Sequence, residues 1–234
     1  MTAHDPISVI VPVLDEARTI TGLLDHLAAL PGQWDVVVAD GGSRDDTVAL
    51  AAAHPSRPRV IQTGRGRAHQ MNAGAQAARS SVLLFLHADT RLPTGAHASI
   101  NAALADPGVL GGNFALHFDG GDRFSKILGR WYAAQRRAGV YYGDSAIWIR
   151  EPTFRELGGF LPLPIMEDYD LVRRLERSGR TRCLQGPAIT SARRWKQLGL
   201  PRTIVAWVAI RWLYLAGMPP ARLARLYPHA RERA

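Results

Sequence analysis

Three short apolar runs, each followed by a polar cluster, are the feature that most constrains the fold of this chain. The runs occupy residues 7–13, 36–39 and 82–86. The acidic or metal-capable side chains that follow them within a few residues are Asp15 and Glu16, then Asp40, then His87 and Asp89. Apolar runs of this length that lead into helical stretches are typical of buried strands in a parallel sheet. The sequence therefore predicts an α/β fold.

The same runs predict where a ligand would bind. Open parallel sheets bind ligands outside the carboxyl ends of their strands, so the acidic clusters should meet at one edge. We expect the later pair Glu167 and Asp168 to join them there. Because converging carboxylates repel one another unless a cation or a positively polarised ligand is present, this edge predicts a metal-assisted site for a phosphorylated substrate.

The order of the elements predicts the topology. Strands are expected at 7–13, 36–39, 59–62 and 82–86, and helices at about 19–30, 45–53 and 67–79. Further elements are a helix after Pro93 to about Ala105, a strand at 111–118, an amphipathic segment at 122–138 and a strand at 145–150. Strands that alternate with helices in this way indicate a doubly wound, Rossmann-like and mostly parallel sheet flanked by helices.

Composition indicates the size of the hydrophobic core and the cellular compartment. The chain has 234 residues, 47% of them hydrophobic, which is enough for one substantial core. Its single cysteine, Cys183, excludes an internal disulfide, and residues 1–6 contain no basic region of the kind that begins a secretory signal. We therefore expect a cytoplasmic protein.

The net charge indicates what kind of partner the protein binds. A formal net charge of +9 favours an anionic partner, such as a phosphorylated substrate or an anionic membrane surface. No recognisable nucleic-acid-binding module accompanies the arginines, so we expect no nucleic-acid partner. Charge alone also fits a simple solvated surface.

Asp89 is the strongest candidate for a metal ligand. Mg²⁺ or Mn²⁺ needs only one or two protein carboxylates when phosphate oxygens complete its coordination shell. His87 lies two residues before Asp89, so the two side chains share a face if the strand continues. A plain hydrogen-bonding role for His87 stays open, as does a role for Asp40 as a turn cap before Gly41.

Six short segments resemble glycosyltransferase family 2, the nucleotide-sugar-dependent transferases of GT-A fold. In chain order they are SVIVPVLDEA, VVADGGSRDDT, GRAHQMNAGA, LFLHADTRL, GGF and IMEDYDLVRRL. They cover roughly residues 7–180. The resemblance implies a transferase of hexosyltransferase type whose nucleoside pocket is lined by Pro12, Glu16 and Asp40, with Asp40 contacting the base.

The resemblance also implies the reactive residues. It places His87 and Asp89 at the family's Asp-x-Asp motif and Asp168 at its catalytic base. In this chain His87 replaces the first aspartate of that motif. It stays open whether His87 makes the ribose or metal contact that this aspartate makes in relatives. The stretches HADT and RAHQMNAGA are similar to a bacterial subgroup of radical-SAM- and selenodomain-associated transferases linked to arsenosugar biosynthesis.

The chemistry of sugar transfer assigns the roles. Displacing a nucleoside diphosphate requires charge neutralisation on the leaving group, for which Asp89 with Mg²⁺ or Mn²⁺ is suited. It also requires a base for the acceptor hydroxyl, and Asp168 in a single displacement would invert the anomeric configuration. Glu167 is expected to position the acceptor or the metal. The structural alternative for Asp168 is a carboxylate at a helix N-terminus.

Further candidates surround these carboxylates. Arg65 and Arg67 precede a predicted helix, where guanidinium groups and backbone amides suit an anion, although Arg65 also fits a solvated turn. Arg194 and Trp195 partly match an Arg-Trp pair that lies near the diphosphate and acceptor in processive relatives. Asp144 either borders the acceptor pocket or is a simple turn residue.

The C-terminal part differs in composition from the rest. We predict a GT-A domain over residues 1–190 and a helical, basic and aromatic segment over 191–234. Its apolar stretch, Thr203 to Gly217, is too short to span a membrane and contains Arg211. It either packs on the core or lies on an anionic membrane, with Arg202, Arg222 and Arg225 facing lipid.

Three functions follow from these patterns. The leading one is an inverting glycosyltransferase that uses a nucleoside-diphosphate sugar and an unknown hydroxyl acceptor. A sugar-phosphate nucleotidyltransferase would need a glycine-rich, basic loop after the first strand, where this chain has Pro12 and Glu16. The third is a non-catalytic protein that binds its partner through the basic surface.

Overall fold

The computed structural model describes residues 5–119, 123–191 and 200–226. Its strands are β1 Ile7–Val13, β2 Trp34–Asp40, β3 Arg59–Gln62, β4 Val82–Phe85, β5 Thr90–Arg91, β6 Val109–Phe118, β7 Ile147–Arg150 and β8 Arg180–Thr190. Its helices are α1 Ile20–Ala29, α2 Thr47–Ala52, α3 Arg67–Ala77, α4 Ala96–Leu104, α5 Arg123–Arg137, α6 Glu151–Glu156, α7 Glu167–Ser178, α8 Leu200–Leu215 and α9 Pro220–Leu226. A short 3-10 turn, Gly143–Ser145, precedes β7.

The strands form one mixed sheet in the order β3-β2-β1-β4-β7-β6-β8-β5. In the first half, β1 pairs in parallel with β2 and β4, and β2 pairs in parallel with β3. This is the predicted α/β half with its strand–helix alternation. The carboxyl ends of β1, β2 and β4 consequently meet at one edge of the sheet.

The continuous apolar runs arise because both faces of the sheet are covered. Along β1, Val9 and Val11 pack into the cluster that contains the buried stripe of α1, whereas Ile10 faces the opposite cluster with Met71 of α3. The helix α3 approaches β1 closely at Gly74, where an added Cβ would lie 2.4 Å from a methyl carbon of Ile10. A strand that is buried on both sides cannot alternate between apolar and polar residues.

Several elements differ from the predicted ones, and the short β5 and α6 were not predicted. The strand expected at 145–150 begins only at Ile147, because Ser145 belongs to the 3-10 turn and Ala146 has a left-handed φ of 54°. The long strand β8 was not predicted. Its sequence has no apolar run, since all but two of its residues are half-buried or exposed, and Gly186 has a left-handed φ of 90°.

The helices α8 and α9 pack on the core through one face. Ile210 and Leu223 are buried in a cluster with Tyr132 of α5 and with Tyr142 and Tyr169 beside the predicted site. One face of each helix is thus in contact with the core, and the role of the other face stays a prediction. In the part of the chain that the structure describes, no helix combines the length and apolar character needed to cross a membrane.

Candidate active site

A cleft opens at the carboxyl ends of β1 and β4. Its outer part is lined by Pro12, Glu16, Arg67, His87, Asp89 and Asp144, together with residues of the β8 end. Its inner part shares Pro12 and His87 with the outer part and reaches Glu167 and Asp168. The enclosed volume of the outer part is only about 50 Å³, so a ligand of nucleotide size would occupy its open mouth. The acidic side chains of separate sequence segments thus meet at one edge.

His87 and Asp89 reach the cleft by a route that the strand pattern did not predict. The strand β4 ends at Phe85, and residues 86–89 leave it in a turn closed by a 3.1 Å hydrogen bond from the Thr90 amide to the His87 carbonyl. The strand therefore does not continue to these residues, and the condition for a shared strand face is not met. The turn nevertheless brings both of them to the wall of the cleft.

The carboxylate of Asp89 is available to a ligand. It is half-buried, and within residues 5–119, 123–191 and 200–226 it makes no hydrogen bond or ion pair. One carboxylate with such free lone pairs suits Mg²⁺ or Mn²⁺ when a diphosphate supplies the other ligands. Among the described residues, no cluster of three or more His, Cys, Asp or Glu side chains could hold a metal by itself.

Asp168 is held at the first turn of α7 by backbone amides. Its carboxylate accepts hydrogen bonds of 2.7 Å from the Gly143 amide and 2.7 Å from the Tyr169 amide. The helix begins after Met166, a non-glycine residue with a left-handed φ of 71°. Burial raises the pKa of Asp168, while the Gly143 amide opposes that shift. The result is a fixed carboxylate with an increased affinity for a proton.

Glu167 adds a second buried carboxyl beside Asp168. Only 6% of its surface is exposed. Burial, reinforced by the charge of Asp168, raises the pKa of Glu167 to about 7, and the nearby Arg67 guanidinium opposes the shift. Arg67 therefore supplies the positive charge that lets two neighbouring carboxylates share the cleft.

The 3-10 turn completes the wall opposite α7. Asp144 lies 3.9 Å from His87 Nε2, measured from its Oδ1 atom. An added Cβ at Gly143 would lie 2.7 Å from the same His87 nitrogen and 3.3 Å from the Asp168 Oδ2 atom. The turn therefore needs glycine at this position for close approach. The same turn also places the Asp144 carboxylate beside His87.

Two predicted residues stay at this edge of the sheet but do not line the cleft. Asp40 is 1% exposed, and its carboxylate accepts hydrogen bonds from the Gly42 and Ser43 amides of its own turn at 3.0 Å and 3.1 Å. Arg65 is exposed to solvent. The contacts of Asp40 are those of a turn cap, and the predicted roles of Asp40 and Arg65 in nucleotide binding stay predictions. The predictions for Arg194 and Trp195 lie outside the described residues.

Sequence reasoning missed the residues that hold the edge together. The buried Gln70 amide donates to the carbonyls of Val13 and Ala39 at 2.7 Å and 2.9 Å, so it joins the ends of β1 and β2. Asn72 exchanges two hydrogen bonds with the backbone of Phe160, at 2.8 Å and 2.9 Å. The only available signal was two amide side chains within an alanine-rich helix.

The fold is similar to that of several solved glycosyltransferases. A mannosyltransferase of Pyrobaculum calidifontis, in complex with GDP-Man and Mn²⁺, matches with a TM-score of 0.64 and 23% identity over 80% of this chain and 56% of its own. The 1–349 fragment of S. aureus TarS with UDP-GlcNAc gives 0.65 and 17% over 80% and 58%. Glucosyl-3-phosphoglycerate synthase of Mycobacterium tuberculosis, with Mn²⁺, UDP and phosphoglyceric acid, gives 0.59 and 23% over 93% and 80%. The class of fold is therefore GT-A.

Sequence comparison identifies the family. The profile described as Glycosyl transferase family 2 matches residues 8–156, which is more than half of the chain. The protein belongs to glycosyl transferase family 2. An uncharacterised glycosyltransferase of Mycobacterium bovis is 30% identical over 93 residues, which is 40% of this chain and 41% of the relative. A PGL/p-HBAD biosynthesis glycosyltransferase of the same species is 35% identical over 91 residues, which is 36% of each. The chain thus spans about two fifths of the length of these relatives.

Proposed function

We propose that this protein is an inverting glycosyltransferase that moves a sugar from a nucleoside diphosphate to an acceptor hydroxyl. The observation that carries the proposal is the placement of Asp89 and Asp168 in adjoining parts of one cleft. Asp89 has no partner among the described residues, and Asp168 is fixed by the Gly143 amide. Membership of the family and the sugar-nucleotide complexes of two similar structures support the choice of donor.

The proposed reaction is a single displacement. The acceptor oxygen forms a bond to the anomeric carbon while the bond from that carbon to the diphosphate oxygen breaks. The hydroxyl proton passes to Asp168, and the nucleoside diphosphate leaves on the opposite side, so the anomeric configuration inverts. A general base positioned in this way contributes a factor of about 10² to 10⁴.

Asp89 would hold the divalent cation, Mg²⁺ or Mn²⁺, that neutralises the charge of the leaving diphosphate. Two similar structures contain Mn²⁺, which supports the choice of metal. Arg67, whose charge already acts on Glu167 and Asp168, lies on the same cleft wall and would add a second positive charge near the phosphates. Glu167 would orient the acceptor.

The donor class is open to a direct test. We expect calorimetry with UDP, GDP and CDP to detect binding of at least one of them, tighter with Mn²⁺ than without it. Failure of all three to bind would contradict the proposed function. A sugar-phosphate nucleotidyltransferase gains no support from the cleft, since Pro12 and Glu16 form the wall where a glycine-rich loop would be needed. The arsenosugar-linked subgroup stays a prediction from the two stretches that suggested it.

The raised carboxyl pKa values predict how activity and stability depend on pH. Transfer needs an unprotonated base, and burial raises the pKa of Asp168, so kcat/KM should rise with pH with a midpoint above the ordinary carboxyl range. Stability should change in the opposite sense. Because the pKa of Glu167 is raised from 4.5 to about 7 in the native state, the free energy of unfolding should fall as the pH rises through that interval.

A Glu167→Gln variant separates the contribution of this carboxyl. In this variant the free energy of unfolding should decrease less between pH 4.5 and about 7 than in the wild type, as measured by denaturant unfolding at each pH. Its kcat/KM should keep a rising acidic limb, since Asp168 is still present. A pH profile of wild-type activity that is flat across this range would contradict the assignment of a raised-pKa base.

We also propose that the outer face of α8 and α9 contacts an anionic membrane. Val205 and Trp212, seven residues apart on one face of α8, are 67% and 62% exposed, and Leu226 of α9 is 65% exposed. Arg222 and Arg225 are exposed on α9. A tryptophan among aliphatic residues and arginines suits the headgroup layer of a bilayer. The side chain of Arg202 lies outside the described part.

Liposome flotation tests this contact. We expect the protein to co-float with phosphatidylserine vesicles at low salt and to be released at high salt or with phosphatidylcholine alone. Trp212→Ser should reduce co-flotation. Leu50→Ser, which changes a residue of 39% exposure on α2, should leave it intact. Equal flotation of both variants, or none by the wild type, would contradict the proposal.

A further inference from the structure

A second groove lies between α5 and the strands β6 and β8, apart from the catalytic cleft. It is open to solvent and has a volume of about 950 Å³, within the size range of ligand sites in proteins. The helix and the sheet approach each other at Gly129, where an added Cβ would lie 3.7 Å from the Leu116 carbonyl oxygen. None of the residues that line the groove is a ligand of the proposed donor.

The rim of the groove is cationic and uncompensated. Lys126, Arg130 and Arg137 lie along one stripe of α5, and Arg182 faces them from β8. All four are exposed, and none forms an ion pair within the described part of the chain. Among the residues that the structure describes, no Asp or Glu lines the groove. Like charges one helical turn apart destabilise a helix by a few tenths of a kcal/mol, so this stripe favours an anionic ligand.

One further arginine of the groove has a different role. Arg136 donates to Asn113 Oδ1 at 2.6 Å and to Thr181 Oγ1 at 2.9 Å, and it lies 3.5 Å from a Glu176 carboxylate oxygen. Its guanidinium also stacks over the Tyr141 ring at 4.4 Å. Arg136 therefore connects the walls of the groove through its hydrogen bonds. The four rim cations are the groups available to bind a ligand.

The floor of the groove is apolar. Its accessible apolar surface comes from the half-buried Ala115 of β6 and the exposed Ala133 of α5, and Leu116, Phe118 and Tyr132, each at most 7% exposed, lie beneath them. A free phosphate ion would contact the rim only and leave this floor unused. An anionic head group joined to an alkyl chain would match both surfaces, with its charge at the rim and its chain on the floor.

The charge of the longer undescribed stretches does not complement the cationic rim. The longer stretches outside the described ranges, 192–199 and 227–234, carry more Lys and Arg than Asp and Glu. The groove is also distinct from the donor site but adjacent to it. Ser145 lines the groove, whereas Asp144 of the same 3-10 turn lines the catalytic cleft.

We propose that this groove binds a lipid phosphate: a phosphate head group among Lys126, Arg130, Arg137 and Arg182, with its alkyl chain over the apolar floor. The proposal goes beyond the glycosyltransferase function and does not depend on the donor. A lipid phosphate bound in the groove would lie next to the catalytic cleft, because the same 3-10 turn lines both.

Calorimetry of the full chain with dodecyl phosphate, below its critical micelle concentration and without nucleotide, tests the proposal. We expect binding that is about tenfold tighter or more than that of inorganic phosphate or dodecylphosphocholine. Arg130→Glu should weaken it by at least about tenfold, and the milder Lys126→Ala/Arg130→Ala pair should weaken it in the same direction. Arg79→Glu, the same charge change on an exposed residue of the α3–β4 loop, should leave it unchanged.

Several outcomes would overturn the proposal. They are the absence of dodecyl phosphate binding, equal affinity in wild type and both rim variants, and equal affinity for inorganic phosphate. Displacement by UDP or GDP would assign the ligand to the donor cleft instead. Self-association of the wild type that Arg130→Glu abolishes would identify a second copy of the chain as the occupant. Because no nucleotide is used for the binding measurement, its failure would leave the proposed transferase function untouched.

Discussion

Replacing Asp168 with asparagine should lower kcat by a factor of about 10² to 10⁴, which is the usual contribution of a positioned general base. The asparagine side chain cannot take the proton of the acceptor hydroxyl, but its oxygen can still accept the 2.7 Å hydrogen bond from the Gly143 amide. Its Nδ2 group replaces the oxygen that accepts from the Tyr169 amide, but the variant also removes one of two adjacent carboxylates, so its thermal midpoint should change little. Steady-state kinetics and thermal unfolding of the same preparation provide both measurements.

Asp106→Asn is the matched control for this variant. Asp106 lies before β6, away from the cleft, and its Oδ1 atom accepts from the Gly108 amide at 2.9 Å, a contact that asparagine can keep. The control should retain wild-type activity. If Asp168→Asn kept more than a tenth of the wild-type kcat, Asp168 would be a structural carboxylate at a helix N-terminus, and the base would have to be sought elsewhere.

Asparagine at Asp89 should abolish the metal dependence of nucleotide binding. A metal at the leaving group contributes several kcal/mol of charge stabilisation, so we expect kcat/KM to fall by about 100-fold or more. Calorimetry with the preferred nucleoside diphosphate should give the same affinity with and without Mn²⁺ in this variant. In the wild type, Mn²⁺ should increase the affinity.

The Asp106→Asn protein again provides the reference, since its exposed carboxylate lies far from the donor. It should show the wild-type response to Mn²⁺. A response of Asp89→Asn equal to that of the wild type would show that another side chain, such as Asp144 beside His87, holds the cation. A biological activity that both Asp89→Asn and Asp168→Asn leave intact, in a wild-type protein that transfers no sugar, would favour the non-catalytic binding protein.

His87 shows which part of the site could be predicted from the sequence, and Asp168 shows which part could not. The apolar run that forms β4 fixed the edge at which His87 and Asp89 would be found, and the structure places both at the cleft. The strand pattern could not predict their orientation, because β4 ends at Phe85 and a turn carries them onward. Local periodicity determines which segment is a strand, whereas a turn depends on what the neighbouring segments leave room for.

The carboxylate pair depends on contacts that no local pattern contains. The Gly143 amide reaches Asp168 across 25 residues of sequence, and the turn that presents it is flanked by the buried ring of Tyr142. That ring lies in contact with Trp207 of α8 at 5.2 Å between ring centroids. On the other side, the Tyr214 hydroxyl of the same helix donates to Asp170 at 3.1 Å. The C-terminal helix therefore supports both segments that position Asp168.

The amino-acid sequence by itself determined the α/β class, the parallel half of the sheet and the edge where acidic residues gather. It did so because a strand buried on both faces must be apolar throughout, and because parallel strands end at a common edge. Only the tertiary structure decided that Asp40 caps its own turn, that Asp89 stays free of partners among the described residues, and that Gly143 holds Asp168. These outcomes depend on distances between segments far apart in the chain, which arise from packing and not from local periodicity.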